Sequence, residues 1–463
     1  MPAEVMPGMD VEAAIAQLGP GDELIVHGGT YELSGRFTVD LVGMEGQPIT
    51  IRAADGERPI FMRPDASQNI WDFDRAEHVV IRGLEFAGGS AGLRISSAKF
   101  LTIEDCEIHD TADVALRAND GGASYQGLRI LRNHIHHTDG TGEGMYLGCN
   151  SNGCRVFDSL IEGNWVHDTN AASVSQGDGI ELKEGSYNNI IRDNVIYATG
   201  YPCILTYSTV GNGAPNIIER NVMWGCGDHA IQSAADATIR NNIILGSAAN
   251  GIAMQPHQAG TPSNLIVVHN TIVHGTGDAI RASGISGSVV IANNAVYSQS
   301  GATVAVSGAM GGVVVTNNVG SSTANGVAQG SLAQDFLGAN YNNMPPVDVF
   351  PTTTGALAGA GSTMYVAADD FNGTPREGVA DVGAYRVAAS NPGWMIQEGF
   401  KGMTAAPPGD GGGGGGDGGT TGEPDGSDPG GCCQTGSEPS GALMLALVAV
   451  VALCGRRRSS RRG

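Results

Sequence analysis

Lysine is almost missing from this sequence: Lys99, Lys183 and Lys401 stand against 22 arginines. Acidic residues outnumber basic ones 47 to 25, so the formal charge of -22 argues against nucleic acid or an anionic membrane surface as partner. An anionic glycan would need a local basic patch or a bridging cation. Aromatic residues make up only 5%, which weighs against extensive stacking on sugars. Of the eight cysteines only Cys149 and Cys154 are near enough in sequence to suggest a pair, so no disulfide framework can be read. Residues 1–10 offer neither a charged n-region nor an apolar run, hence no signal peptide as written.

What the chain has is a repeated phrase: apolar, two residues, asparagine, one residue, apolar. Its asparagines are Asn133, Asn164, Asn194, Asn221, Asn242, Asn270, Asn294 and Asn318, spaced by 31, 30, 27, 21, 28, 24 and 24 residues. Two degenerate copies precede them, with Leu84 and Cys106 in the asparagine slot. A period of about 20 to 30 residues means one supersecondary unit stacked on the next. Each unit adds a second short strand, as in Gly92–Ile95, Gly179–Leu182 and Gly251–Met254. Isoleucine and valine fill the core slots, and their stiffness at χ1 favours strands over a leucine-rich alternative. Helical periodicity is confined to a short N-terminal stretch.

The expectation is an all-β parallel solenoid, with equivalent residues of successive coils about 4.8 Å apart, so that one slot becomes a column. An inward asparagine column would satisfy the buried turn groups. The pattern resembles the right-handed parallel β-helix superfamily typified by pectate lyase, over roughly residues 20 to 325. The resulting domain expectation is an N-terminal cap at 1–20, with Asp10 capping a helix from Val11 to Leu18, and a single-stranded right-handed β-helix at 21–325. A loop-rich C-terminal cap at 326–390 follows, then a Gly/Asp/Pro-rich flexible linker at 391–431 and a tail at 432–463.

That tail reads Cys432-Cys433, an apolar run from Ala442 to Cys454 of 13 residues, then five arginines. As a helix the run would span about 20 Å, short of a hydrocarbon core of about 30 Å. The tail closely resembles the myxobacterial C-terminal sorting signal (MYXO-CTERM type). The resemblance implies export, a sorting protease cutting near Cys432 or Cys433, transient membrane insertion of the tail, and display on the cell surface, with a lipidated cysteine as one form of anchor. A sorting tail without an export signal leads to the expectation that the true start lies upstream of Met1.

The second strand of each coil gives an outward column of Arg94, Arg117, Tyr146, Glu181, Leu205, Gln232, Ala253 and Arg281. Two residues further on lie Ser96, Asn119, Gly148, Lys183, Tyr207, Ala234, Gln255 and Ser283, and the preceding turns supply Glu143, Asp178, His229, Asn250 and Asp278. Three adjacent coils thus collect Glu143, Tyr146, Asp178, Glu181, Lys183 and Tyr207 within about 10 to 15 Å. Stacked carboxylates repel, and a hard cation such as Ca²⁺ would relieve them. Lysine as base and Tyr207 or Tyr146 as acid would complete what β-elimination from a uronate needs. The plainer reading is an ion-paired surface, with Lys183 held by Asp178 or Glu181. Arg94, Arg117, His229, Gln232, Gln255, His257 and Arg281 are the candidate sugar contacts along the same face.

Gly177-Asp178-Gly-Ile-Glu-Leu-Lys183, followed by Asn188 and Asn194, resembles the alginate and chondroitin lyase family. The resemblance implies an acidic metal ligand at Asp178 and a base at Lys183; Tyr207 stands where that family has an arginine. Gln255-Pro-His257-Gln echoes the Asp-Pro-His motif of mannuronan epimerases, with glutamine in both carboxylate positions, and is read as coincidence. A third column holds His109, His136, His167, Tyr197 and Trp224, with Asp110, His137 and Asp168 beside it. Stacked imidazoles there could hold Zn²⁺, or form an exterior ring stack that shields the strand edge.

Two functions fit. The first is an exported, surface-displayed module that binds anionic or neutral polysaccharide or serves a structural, adhesive role. The alternative is a polysaccharide lyase acting on an anionic glycan with Ca²⁺ assistance.

Overall fold

The computed structural model describes residues 2–342 and 344–402; Cys432, Cys433 and the tail expected to act as a sorting signal lie outside them. Those residues form a parallel β-solenoid with very little helix. Thirteen strands make one sheet, from Gly29–Glu32 to Val327–Gln329, and 25 strands make the other, which wraps the remaining two flanks of each coil. Every named strand pairing is parallel, and the register carries one column from coil to coil: Arg94 with Arg117, Arg117 with Tyr146, Tyr146 with Glu181 and Glu181 with Leu205. The interior is filled by aromatics in the first coils, with Phe37 stacked on Trp71 at 4.8 Å, and then by isoleucine, valine and leucine.

The asparagine column forms as expected. Asn221 Nδ2 donates to Asn242 Oδ1 at 3.0 Å and to Ile191 O at 2.9 Å, and the same pair of bonds recurs from Asn133 to Asn318. Cys106 sits at its head, its amide donating to Asn133 Oδ1 at 3.1 Å. One feature escaped the sequence reading. The residue before each ladder slot is left-handed: Gly83, Asp105, Arg132, Gly163, Asp193, Arg220, Asn241, His269, Asn293 and Asn317 all have φ between 50° and 71°. For non-glycine residues this conformation costs about 1–2 kcal/mol each, and it turns the asparagine inward to make its bonds. A second, shorter ladder joins Asn189 to Asn216 at 3.0 Å.

The N-terminal helix is shorter than expected, Val11–Ile15, with Asp10 accepting from Ala13 N at 2.9 Å and Val11 and Ile15 buried. Leu18 packs on the core without being helical, because the chain turns at Gly19–Gly21. The N-terminal segment also adds a strand, Ala3–Val5, beside Glu23–Val26.

Residues 336–402 run back along the outer side of the thirteen-stranded sheet. Phe336, Val349, Phe350, Phe371, Val382, Tyr385 and Ile396 form a second apolar core with Val195, Tyr197, Val222, Trp224, Ile243, Val273, Ala295 and Tyr297. Arg376, fully buried, donates to the carbonyls of Gly383 and Ala384 at 2.9 and 3.1 Å and to Asn241 Oδ1 at 3.2 Å. The first residues of the expected linker, 391–402, pack on this surface. Ile396 is buried, and Lys401 Nζ bonds Asp193 Oδ1 and Phe371 O at 2.7 Å each.

Cys149 pairs with Cys154 as expected, and Cys203 pairs with Cys226, a bond the sequence reading missed. Disulfides are consistent with export. Among the described residues Cys106 is the free cysteine and no helix is long and apolar enough to cross a membrane.

Candidate functional site

The outward column predicted from the second strands is real, and its middle is unlike its ends. Arg94 is tied to Asp120 at 2.7 Å, Arg117 to Asp113 at 3.3 Å and Arg281 to Asp278 at 3.1 Å, so these three arginines are already paired. Gln255 donates to Gln232 at 3.2 Å, and His229 Nδ1 accepts from Asn250 N at 3.1 Å. Those six line the face outside the central cluster.

The centre is made by three coils. The strand Met145–Leu147 presents Tyr146, Ile180–Leu182 presents Glu181 with Lys183 just beyond it, and Ile204–Thr206 leads to Tyr207. The turns before the first two strands bring in Glu143 and Asp178. Gly148 makes the close approach workable: its φ is +92°, and a Cβ there would meet Lys183 Cβ at 3.0 Å and Ser186 Oγ at 2.8 Å. Side loops of three coils are tied together beside this face, with Asn212 Nδ2 to Asn152 Oδ1 at 3.1 Å and Gln258 Nε2 to Asn150 Oδ1 at 3.0 Å.

Glu143, Asp178 and Glu181 are 0–1% exposed, and one carboxylate oxygen of each lies within 4.8 Å of the others. Both oxygens of Glu143, Oδ1 of Asp178 and Oε2 of Glu181 make no hydrogen bond of good geometry, the Thr141 side chain and the residue's own N–H being the groups nearest Glu143. Burial, then the neighbouring carboxylates, pushes the Asp178 carboxyl well above its ordinary range. Burial raises Glu143 too, with Glu181 adding to the effect. Four orphaned oxygens from three acids are the donor set of a hard divalent cation, and the residues fit one.

Lys183 forms an ion pair with Glu181 Oε1, not with Asp178. Its Nζ lies 4.6 Å from the Tyr146 ring centre and 3.4 Å from the Tyr207 hydroxyl. Burial alone would lower the Lys183 ammonium, but the charge and hydrogen bond of Glu181, with Tyr146 behind them, raise it. Tyr207 donates to Glu181 Oε1 at 3.0 Å, and burial followed by that carboxylate's charge pushes its hydroxyl far up. His257, placed in the sequence reading only as a sugar contact, stacks on Tyr207 with ring centres 4.9 Å apart and its Nε2 3.2 Å from the hydroxyl. The sequence signal was present, since Gln255-Pro-His257 leaves the same strand position two coils after Tyr207.

The ring column also forms: His109, His136, His167, Tyr197 and Trp224 stack at 5.0, 5.1, 5.0 and 4.4 Å. Asp110, His137 and Asp168 follow them in left-handed conformation, which turns each side chain back onto the preceding ring.

Residues 3–215 match a family model described as a Pel9A-like, right-handed β-helix region, and residues 169–296 match a right-handed β-helix model. The chain thus carries a right-handed β-helix. The crystal structure of pectate lyase Pel9A superposes with a TM-score of 0.51 at 17% identity, covering 83% of this chain and 96% of that one. An alginate lyase from Paenibacillus sp. str. FPU-7 gives a TM-score of 0.44 at 18% identity, covering 67% and 98%. No curated protein sequence matches the chain.

Proposed function

We propose that the protein is a polysaccharide lyase that cleaves a uronate-containing glycan by β-elimination. The observation that carries this reading is the buried triad Glu143, Asp178 and Glu181, with four unpartnered oxygens, beside Lys183 and Tyr207. A surface module that only binds or adheres has no need of three mutually repelling buried acids, so the lyase reading ranks above the binding one. The fold shared with a pectate lyase is compatible with either, and the buried acids beside Lys183 are what favours the lyase.

Glu143, Asp178 and Glu181 would hold a cation such as Ca²⁺. When bound, it supplies positive charge to the uronate carboxylate and draws on the Glu181 charge that otherwise keeps Lys183 protonated. Lys183 Nζ takes the proton α to the carboxylate. The electron pair forms the carbon–carbon double bond as the β carbon–oxygen bond breaks, and the leaving oxygen takes the Tyr207 hydroxyl proton. His257 Nε2, 3.2 Å from that hydroxyl, is placed to return a proton to it. Tyr146 flanks the Lys183 ammonium and limits its swing.

The test is the ultraviolet absorbance of unsaturated chain ends, with pectate, alginate and chondroitin offered in turn, with and without Ca²⁺. A rise with one polymer that is lost on chelation, and lost again in Lys183→Ala, is the expected result. Tyr207→Phe, which keeps the stack on His257, should lower kcat by about 10²–10⁴ with little change in KM. A flat trace on every polymer returns the protein to the binding reading, and activity that survives Lys183→Ala removes that residue from the mechanism.

A further inference from the structure

The other sheet carries a donor set of different chemistry. Glu107 and the pair His134 and His136 lie on adjacent strands, and one ligand atom of each falls within 4.8 Å of the others. Glu107 Oε1 is 3.3 Å from His134 Nδ1 and 3.0 Å from His136 Nε2. Ligands held tetrahedrally at about 2.0–2.1 Å from a zinc-type ion are about 3.3 Å apart. The second Glu107 oxygen is taken by Arg58, which leaves Oε1 to the two rings.

Proton bookkeeping points the same way. Asp168 lies 2.8 Å from His167 Nδ1, so that nitrogen carries the His167 proton and Nε2 is an acceptor. His167 Nε2 is 2.8 Å from His134 Nε2, which must then carry the His134 proton. His134 Nδ1 is left with a bare lone pair beside the Glu107 carboxylate. Two electron-rich atoms at that distance call for a cation between them. The other ring admits the same arrangement: His136 Nδ1 lies 2.5 Å from His137 Nδ1, and when it donates its proton there the Nε2 lone pair faces Glu107 Oε1 at 3.0 Å. Trp165 stacks on His134 at 3.9 Å and holds its plane, and the three donors are only half-buried, so an ion can reach them.

We propose that Glu107, His134 and His136 form a second metal site, selective for a late first-row divalent ion such as Zn²⁺ or Co²⁺ and distinct from the all-oxygen site at Glu143, Asp178 and Glu181. Two nitrogens and one carboxylate oxygen suit these ions and disfavour Ca²⁺. Three protein ligands leave a fourth position open.

The untagged full-length chain, stripped with chelator and kept in excess Ca²⁺ to fill the oxygen site, is titrated with Co²⁺. Visible ligand-field absorption and quenching of tryptophan emission are the readouts. Saturation at one Co²⁺ per chain is expected, weakened roughly tenfold or more in His136→Phe and in Glu107→Gln and unchanged in the double variant Glu143→Gln, Asp178→Asn. His136→Phe keeps a ring in the stack, and an unshifted thermal midpoint separates ligand loss from unfolding; Glu107→Gln serves if the ring variant fails to fold. Absence of a visible band, or a band of equal affinity in Glu107→Gln, overturns the site. Neither outcome bears on the lyase reading, which is measured on polymer with Ca²⁺ alone.

Discussion

The Lys401 ammonium lies 2.7 Å from the Asp193 carboxylate, although 208 positions separate them in the chain. Asp193 is the left-handed residue before Asn194 in the ladder, so this contact fastens the returning C-terminal segment to the frame of one coil. Arg220, one coil on, shares the carboxylate at 2.9 Å and bridges to Asp369 at 2.8 Å.

Lys401→Met should therefore destabilise the protein by about 3 kcal/mol, the low end for a broken buried pair because Arg220 remains with Asp193. Denaturant unfolding measures it. A loss below about 0.5 kcal/mol would mean that the segment is held by its apolar residues alone.

The same carboxylate sets an acid limit. Burial opposes ionisation of Asp193, but Lys401 and Arg220 outweigh it and hold its pKa below the ordinary 3.8. A depressed folded-state pKa contributes stability that is fully present above the unfolded value and is lost as pH falls through the folded one. Hydrogen exchange in residues 391–402 should be flat from neutral pH down to about pH 4 and rise below it. Protection that falls away already near pH 6 would assign the docking to histidines instead.

At the carboxylate triad the expected sign is unusual. Without cation, the double variant Glu143→Gln, Asp178→Asn should be more stable than the parent, by about 1–2 kcal/mol, because repelling buried acids are removed. Ca²⁺ at about 100 times its Kd should stabilise the parent by about 2.7 kcal/mol and the variant not at all. Thermal melts with and without chelator check both halves. A variant less stable than the parent in chelator would show that the acids are held protonated by contacts that amides cannot replace.

In the ladder, Asn221→Ala would strip four bonds at once. Asn221 Oδ1 accepts from the amide and the side chain of Asn194, and its Nδ2 serves Ile191 O and Asn242 Oδ1. With 1–3 kcal/mol for each buried group left unpaired, the cost should reach about 3 kcal/mol or more. Asn318→Ala, at the end of the column, should cost less, and equal losses would contradict a cooperative ladder.

How far the sequence reaches depends on whether a feature obeys the repeat. The ladder from Asn133 to Asn318 and the column from Arg94 to Arg281 could be placed because one register fixes every slot. Glu143, Asp178, Glu181 and Lys183 came together for the same reason. Cys203 and Cys226 are 23 residues apart, one coil's length, and could have been paired by asking which cysteines fall in neighbouring coils. The returning segment has no period, so nothing local gave its register. Its footprint was nevertheless written in the residue after each ladder slot: Glu85, Glu107, His134 and Trp165 in early coils, then Val195, Val222, Ile243, Thr271, Ala295 and Val319. That outward position turns mostly apolar where the segment begins to cover it.

A stacked array in which each unit touches only its neighbours behaves as a one-dimensional chain, free to fray from either end. The C-terminal segment changes that for part of the molecule. By packing across the coils from Val195 to Val319 at once, it couples units well beyond nearest neighbours, so the far half should open as one cooperative block. Among the described residues, the second apolar core does not extend to the coils before Asn133. Unravelling should therefore start at the N-terminal end and stall on reaching the clamped half, whose edge adjoins the coil that carries Lys183.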